Sequence, residues 1–246
     1  MHMQKRSLKE LIHIEDPAWP LVQGWINTAS NTVEVLKTDR AQAEKVLLYL
    51  QVTTRSPLGA VAFETGGLLV DHGWLRFLGS GDQRLSGNLL SWNTRGQIPE
   101  SHLLKGACIV AYDVVGGFFA LNGGAFSDKL GTVFYFGPDT LQWHHFGGSY
   151  SQLISWALTA NLEQFYHKMR WPGWENDVST LNGDRGISIF PFLCTEKGLP
   201  VAERSRRAVP MLELWNLHLD LAQQLKNLPE GTPIQVHFEE NPYNHH

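Results

Sequence analysis

The sequence predicts an α+β fold: a twisted, mainly antiparallel sheet with N-terminal helices and two longer C-terminal helices packed against it. Three observations lead there. Short apolar runs in the middle of the chain are separated by glycine-rich turns at roughly 8–12-residue spacing, which favours a meander over βαβ units. Before residue 51 the apolar residues follow a helical period with capping signals, and after residue 149 two long segments return to that period. The 246 residues, 43% hydrophobic and 18% charged, suit one folded domain. It divides into a helical part (6–50), a sheet with its following helix (51–169) and an elaboration (170–238).

At the N-terminus, Ser7 and Glu10 have capping-box spacing for a short helix with Leu8, Leu11 and Ile12 on its apolar side. Asp16-Pro17 reads as a cap with proline in the first turn, opening a helix through Trp19, Val22, Trp25 and Ile26. A third helix opens near Thr38–Asp39 and runs through "RAQAEKVLLYL". From about residue 51 the period changes. "QVTT", "GAVAFET", "GLLVD" and "GWLRFLG" read as short strands, with "ETGGLL" and "VDHGWL" as hairpin turns. Residues 79–105 are polar and rich in Gly, Ser and Asn, which predicts a long surface excursion. Strands resume at "ACIVAYDV", "GFFALNG", "GTVFYFG" and "LQWHHF".

Ser149 with Gln152 opens the clearest helix, "SYSQLISWALTANLEQFYHKM", and "RWPGWE" breaks it. A strand "GISIFPFLCT" follows, with Pro191 marking an edge. The last helix, "VPMLELWNLHLDLAQQL", carries Leu214, Leu217, Leu221 and Leu225 on one side, and "TPIQVHF" reads as a closing strand.

Composition excludes some functions. A net charge of −4 offers no field for nucleic acid or an anionic membrane. No apolar run reaches the roughly 20 residues that cross a bilayer. "MHMQKRSLKELI" lacks the apolar core of a secretory signal. Cys108 and Cys194 lie in apolar runs; as small buried hydrophobes rather than a disulfide or a reactive thiol they fit a reducing cytoplasm. The phosphate-loop, zinc-protease, nucleophile-elbow and dinucleotide motifs are missing. His144-His145 point to opposite faces of a strand, so they do not share one ion, and one packed with one exposed is the expectation. No catalytic residue, metal site or cofactor is assigned.

Several residues stand out as binding candidates. Asp71 and His72 sit at a loop tip, and Arg76 alternates with Leu75 and Phe77, so it should face away from them. Trp171 and Trp174 in "MRWPGWE" form either an aromatic contact surface or a loop tucked onto the core by its indoles. Arg206, within "RSRR", faces an anionic partner or is simply solvated. If a small molecule or substrate binds, the cleft lies between the 66–79 hairpin, the 113–118 turn and "RWPGWE", with Arg76, Asp113, Trp174 and Asp184 converging on it.

The blocks "LQVTTRSPLGAVAFETGGLLVDHGWLRFLGSG", "DVVGGFFALNGG", "GTVFYFGPDTLQW", "RWPGWENDV" and "RSRRAVPMLELW" closely resemble an uncharacterised bacterial family, domain of unknown function 2625, over residues 8–237. That resemblance implies a shared fold and brings no activity. A second one covers residues 105–165: "CIVAYDVVGGFFALN", "GTVFYFGPDT" and "GSYSQLISWAL" are similar to the SUKH-type superfamily. It implies an α+β fold with a twisted antiparallel sheet and the role of an immunity protein that binds a toxin-like protein partner. Asp113, Gly116, Gly117, Gly131 and Asp139 fit its pattern, whereas Phe118 stands where an acidic residue is usual. No catalytic residue carries over.

Overall fold

The computed structural model describes residues 5–13, 15–95, 98–195 and 200–226. In chain order the elements are α1 (Leu8–Leu11), α2 (Trp19–Asn27), β1 (Val33–Leu36), α3 (Arg40–Leu50), α4 (Pro57–Glu64), β2 (Gly67–Val70) and β3 (Leu75–Leu78). Then come β4 (Ala107–Asp113), β5 (Phe118–Asn122), β6 (Val133–Gly137), β7 (Gln142–His145), α5 (Tyr150–Thr159), α6 (Leu162–Tyr166) and α7 (Trp174–Ser179). The chain continues through β8 (Arg185–Phe190), a short 3₁₀ turn, β9 (Ser205–Pro210) and α8 (Met211–Leu225).

Strands β1 to β7 form one antiparallel meander in sequence order, and β8 pairs with β9 in a separate hairpin. The expected α+β architecture is therefore the observed one. The cross-strand register sorts the side chains onto two faces. Arg76, Tyr112, Phe118, Phe136 and Trp143 line up on one. Trp92 from the 79–105 segment and Trp215 from α8 cover that row, with Phe118 and Trp215 ring centroids 4.5 Å apart. Phe77, Ala111, Phe119 and Tyr135 line up on the other face. Tyr150 and Trp156 of α5 and Phe165 of α6 pack there. Both faces are buried, so β2, β3 and β6 carry no exposed position at all.

This double cover corrects several sequence expectations. Arg76 does point away from Leu75 and Phe77, but into the second buried layer, where it is 1% exposed. Residues 79–105 are not a solvated excursion: Ser80, Leu85, Leu89 and Trp92 are buried, and Asn93 bonds the N–H and C=O of Ile109 at 2.7 and 2.9 Å. "GAVAFET" is the body of α4, not a strand. Ser56 caps it by accepting from Gly59 N at 3.1 Å, and Pro57 opens the first turn. "QVTT" forms a turn, and β1, which was not foreseen, pairs with β2 along its length.

Other ends shift for visible reasons. The capping box at Ser7 and Glu10 and the Asp39 cap of α3 are present. Helix α2 begins at Trp19 rather than at Pro17. The segment from Ser149 is two helices. Asn31 Nδ2 donates to the Ala157 and Ala160 carbonyls at 2.8 and 3.0 Å, closing α5, and Asn161 caps α6. On α8 the buried side is Met211, Leu214, Trp215 and His218, rotated from the leucine stripe expected. His144 and His145 are both exposed. Cys108 and Cys194 are free thiols, half-buried, and burial pushes the Cys108 thiol up to about 12. The expected closing strand at 232–238 lies outside the described residues.

Candidate functional site

The eight residues singled out by sequence fall into separate groups rather than one cleft. Asp71 and His72 are in the β2–β3 turn, both with positive φ (54° and 57°). Trp174 lies beside them, its ring 5.9 Å from His72. Arg170 ties this group together. Its guanidinium sits 3.9 Å above Trp174 and 4.7 Å from Trp74, and pairs with Asp71 and, at 3.0 Å, with Glu163. Charge and quadrupole therefore hold the "RWPGWE" loop to the hairpin. Trp174 and Trp171 are buried, at 7% and 2%, so their indoles tuck the loop onto the core.

Arg76 and Asp184 form a second group. Arg76 Nη1 donates to the carbonyls of Gly183 (2.9 Å) and Arg185, and Nε to Gly73 (2.9 Å). Burial opposes its charge, while nearby Tyr112, Asp113 and Asp184 support it. Asp184 accepts from Ser86 N at 2.6 Å and Gly87 N at 2.7 Å. The two side chains thus staple the β8 approach and the 79–105 segment to the sheet.

Asp113 is fully buried at the end of β4. Its Oδ1 accepts from Val115 N (3.1 Å) and Gly117 N (2.8 Å), and its Oδ2 from the Tyr135 hydroxyl (2.8 Å). Burial outweighs these bonds and raises its pKa to about 6. His218 meets the same turn from α8, donating Nδ1–H to the Gly116 carbonyl at 3.1 Å. Burial lowers its pKa to about 4, so it is neutral near pH 7.

The last group opens to solvent. Between α7 and the β8–β9 hairpin lies a groove of about 500 Å³. Trp171 and Ile187 form its floor, and Asp177, Thr180 and Leu181 one wall. The other wall is β9 with its approach: Arg204, Ser205, Arg206, Arg207 and Ala208. Here Ser205, Arg206 and Arg207 of "RSRR" lie in a strand, with Arg204 just before it. Arg206 lies 5.0 Å from the Trp171 ring centroid and donates Nη1–H to the carbonyls of Val201, Ala202 and Arg204. Arg204 Nη1 donates to the Pro191 and Phe192 carbonyls. Trp171 Nε1 donates to Asp177 at 2.7 Å, fixing the floor to the opposite wall.

A smaller depression of about 200 Å³ lies on the other side of α7, lined by Thr32, Glu34, His72, Arg84 and Ser179. Its Arg84 and Glu34 are paired with each other. No group of His, Cys, Asp and Glu among the described residues has the arrangement of a metal site. Among them, too, no helix is long and apolar enough to cross a membrane. Sequence reasoning picked out the basic run Arg204–Arg207, with Arg206 as its candidate, but missed Arg170. The only signal for Arg170 was its position next to two tryptophans.

With this geometry in view, the chain belongs to the family described as "Protein of unknown function DUF2625", whose profile matches residues 8–214. The match ends short of residue 237, leaving most of α8 beyond it. Among similar proteins is the "Putative uncharacterized protein YbfG" of Escherichia coli (strain K12), 38% identical over 218 residues, covering 89% of this chain and 98% of that one. An "Uncharacterized protein" of Haemophilus influenzae (strain ATCC 51907 / DSM 11121 / KW20 / Rd) is 37% identical over 204 residues, covering 83% and 90%. No solved structure matches.

Proposed function

We propose that this protein is a non-catalytic module that binds another protein, a toxin-like partner in the manner of an immunity protein, through the groove between α7 and β9. The observation that carries the reading is the groove's cationic wall on a stiff frame: Arg206 is held over Trp171 and against three carbonyls before any partner arrives. Pre-set side chains lose less freedom on binding, which is how a modest surface gains affinity. The resemblance of residues 105–165 to SUKH-type proteins supports the same role. Asp113 and His218, a buried carboxyl and a buried imidazole with displaced proton affinities, are both bonded to backbone and do not line the groove. A small-molecule or enzymatic site near the 66–79 hairpin is the second reading. It rests on the smaller depression, which falls below the roughly 300 Å³ usual for a ligand pocket.

The test is photo-crosslinking in the bacterium that encodes the protein. A benzoylphenylalanine at Ser205, in the groove, is expected to give one discrete protein adduct. The same probe at Leu130, which is 70% exposed on the β5–β6 loop, is expected to give none. No adduct at position 205, or the same adducts at both positions, overturns the reading.

A further inference from the structure

We infer that the outer edge of β9 takes up an extended acidic peptide segment of the partner as an added strand. This rests on the groove being a protein-binding site and specifies the chemistry of what binds there.

The register of the β8–β9 hairpin sets which backbone groups are free. Ile187 N donates away from β9, to the Val114 carbonyl at 2.7 Å. Met211 N donates to Asp184 O at 2.8 Å, one step beyond the paired ends Arg185 and Pro210. Antiparallel pairs alternate between bonded and non-bonded, so Gly186–Val209 and Ser188–Arg207 are the bonded pairs. Arg206 and Ala208 therefore turn their N–H and C=O groups to the other side of β9. Of these, the Ala208 carbonyl accepts from Arg185 Nη2 at 2.8 Å. The Arg206 N–H, the Arg206 C=O and the Ala208 N–H have no partner among the described residues, and β8 is the only described strand next to β9.

A free edge is a template for another strand unless something blocks it. Here the guard is charge. Arg206 and Arg207 are exposed on the edge strand, with Arg204 just before it. They repel a second copy of the same edge and attract carboxylates. Strand addition also explains why the cations sit on an extended segment: backbone bonds supply affinity, and alternate side chains supply selectivity. A nucleic acid has no peptide N–H and C=O to complete the ladder, and the chain's net charge of −4 repels it at long range.

The probe is a fluorescein-labelled octapeptide of alternating Glu and Val, read by anisotropy against the full chain. It is expected to bind saturably and to weaken as salt rises. A Lys–Val octapeptide is expected to bind at least ~10-fold more weakly. Two further octapeptides are N-methylated, one at every Glu and the other at every Val. One of them is expected to lose roughly tenfold or more and the other to bind like the parent, because only alternate N–H groups face β9. Arg207→Glu is expected to weaken binding about tenfold. It avoids Arg206, whose side chain also braces the groove. Equal binding by both N-methylated peptides overturns strand addition, as does no binding of the Glu–Val peptide. Binding of a 20-nucleotide single-stranded DNA as tight as that of the peptide overturns the choice of partner. A Ser205 adduct together with any of these failures leaves the groove's function standing and removes only the strand mechanism; loss of the adduct removes the groove reading itself.

Discussion

Asp113 and His218 grip the turn at residues 113–117 from opposite faces of the sheet, and their titrations oppose each other. Asp113 has a folded pKa of about 6 against an ordinary 3.8, so between those values the folded state holds a proton that the unfolded chain has released. Its contribution to stability is complete below pH 3.8 and is lost as the pH rises through 6. His218 has a folded pKa of about 4 against 6.5. There the unfolded chain holds the extra proton, so the contribution is complete above pH 6.5 and is lost as the pH falls through 4. Each effect is on the order of 3 kcal/mol across its window, and they largely cancel. Asp113→Asn removes one side of the balance: its unfolding free energy, from urea melts between pH 4 and 6.5, is expected to rise with pH more steeply than that of the native protein. His218→Asn keeps an N–H for the Gly116 carbonyl and is expected to tilt the slope the other way. Parallel profiles for all three proteins would contradict the buried assignments. At the neighbouring Gly117, a Cβ would overlap Asp113 Oδ2 and Tyr135 Oη, both already bonded to each other. Gly117→Ala is therefore expected to cost at least about 2 kcal/mol in the same melts, an overpacking penalty in a site that has no room to relax.

At the scale of elements, the 79–105 segment behaves as part of the core because of one carboxylate and one amide. Asp184 holds the Ser86 and Gly87 N–H groups, and Asn93 splices onto Ile109. Hydrogen bonds to a charged acceptor contribute about 1.5–3 kcal/mol each. Asp184→Ala is expected to leave β4 to β6 protected and to accelerate amide exchange over residues 86–92 by at least tenfold, which hydrogen-exchange mass spectrometry reads directly. Unchanged exchange there would mean that Trp92 and Leu89 alone hold the segment. Its composition hid this: Gly, Ser and Asn read as solvated, and they surround the four apolar residues that enter the core, Leu85, Leu89, Trp92 and Ile98. Strands β4 to β7 were legible because their turns need glycine at positive φ, as at Gly116 (86°) and Gly131 (83°). Helix α4 was not, because buried all round it shows no polar face, and Gly59 and Ala60 resemble strand punctuation. Of the groove, "RSRR" was visible as charge, but its place on an edge strand depends on the β8–β9 register, and the pinning of Trp171 and Trp174 depends on Arg170. Neither long-range fact leaves a local pattern.

Over the whole molecule, the hydrophobic residues of both faces form one continuous core, running from Leu11 through the sheet to Trp215. The hairpin β8–β9 joins it by three ties. Ile187 and Ile189 are buried, Gly186 is packed so closely on Leu214 and Met211 that no Cβ would fit, and Arg76 reaches across to Gly183 and Arg185. The division into a sheet part and a C-terminal elaboration is thus one of sequence, and the expectation is a single unfolding unit. Calorimetry is expected to show one transition whose calorimetric and van't Hoff enthalpies agree. Arg76→Met preserves volume and leaves no new buried charge, but takes the donor from three backbone carbonyls and strands two of them, Gly73 O and Arg185 O, since Gly183 O keeps the Tyr112 hydroxyl at 3.1 Å. A loss of about 3 kcal/mol is expected from two stranded acceptors. For a chain of this size that lowers Tm by roughly 6–12 °C. The variant should still melt in one step, since the Trp215 ring remains wedged against Phe118 and Phe136 on the same face. Two resolved transitions in the native protein, with the hairpin and α8 melting first, would show instead that the groove belongs to a separately folding piece, and the stiffness argued for its arginine wall would then lose its foundation.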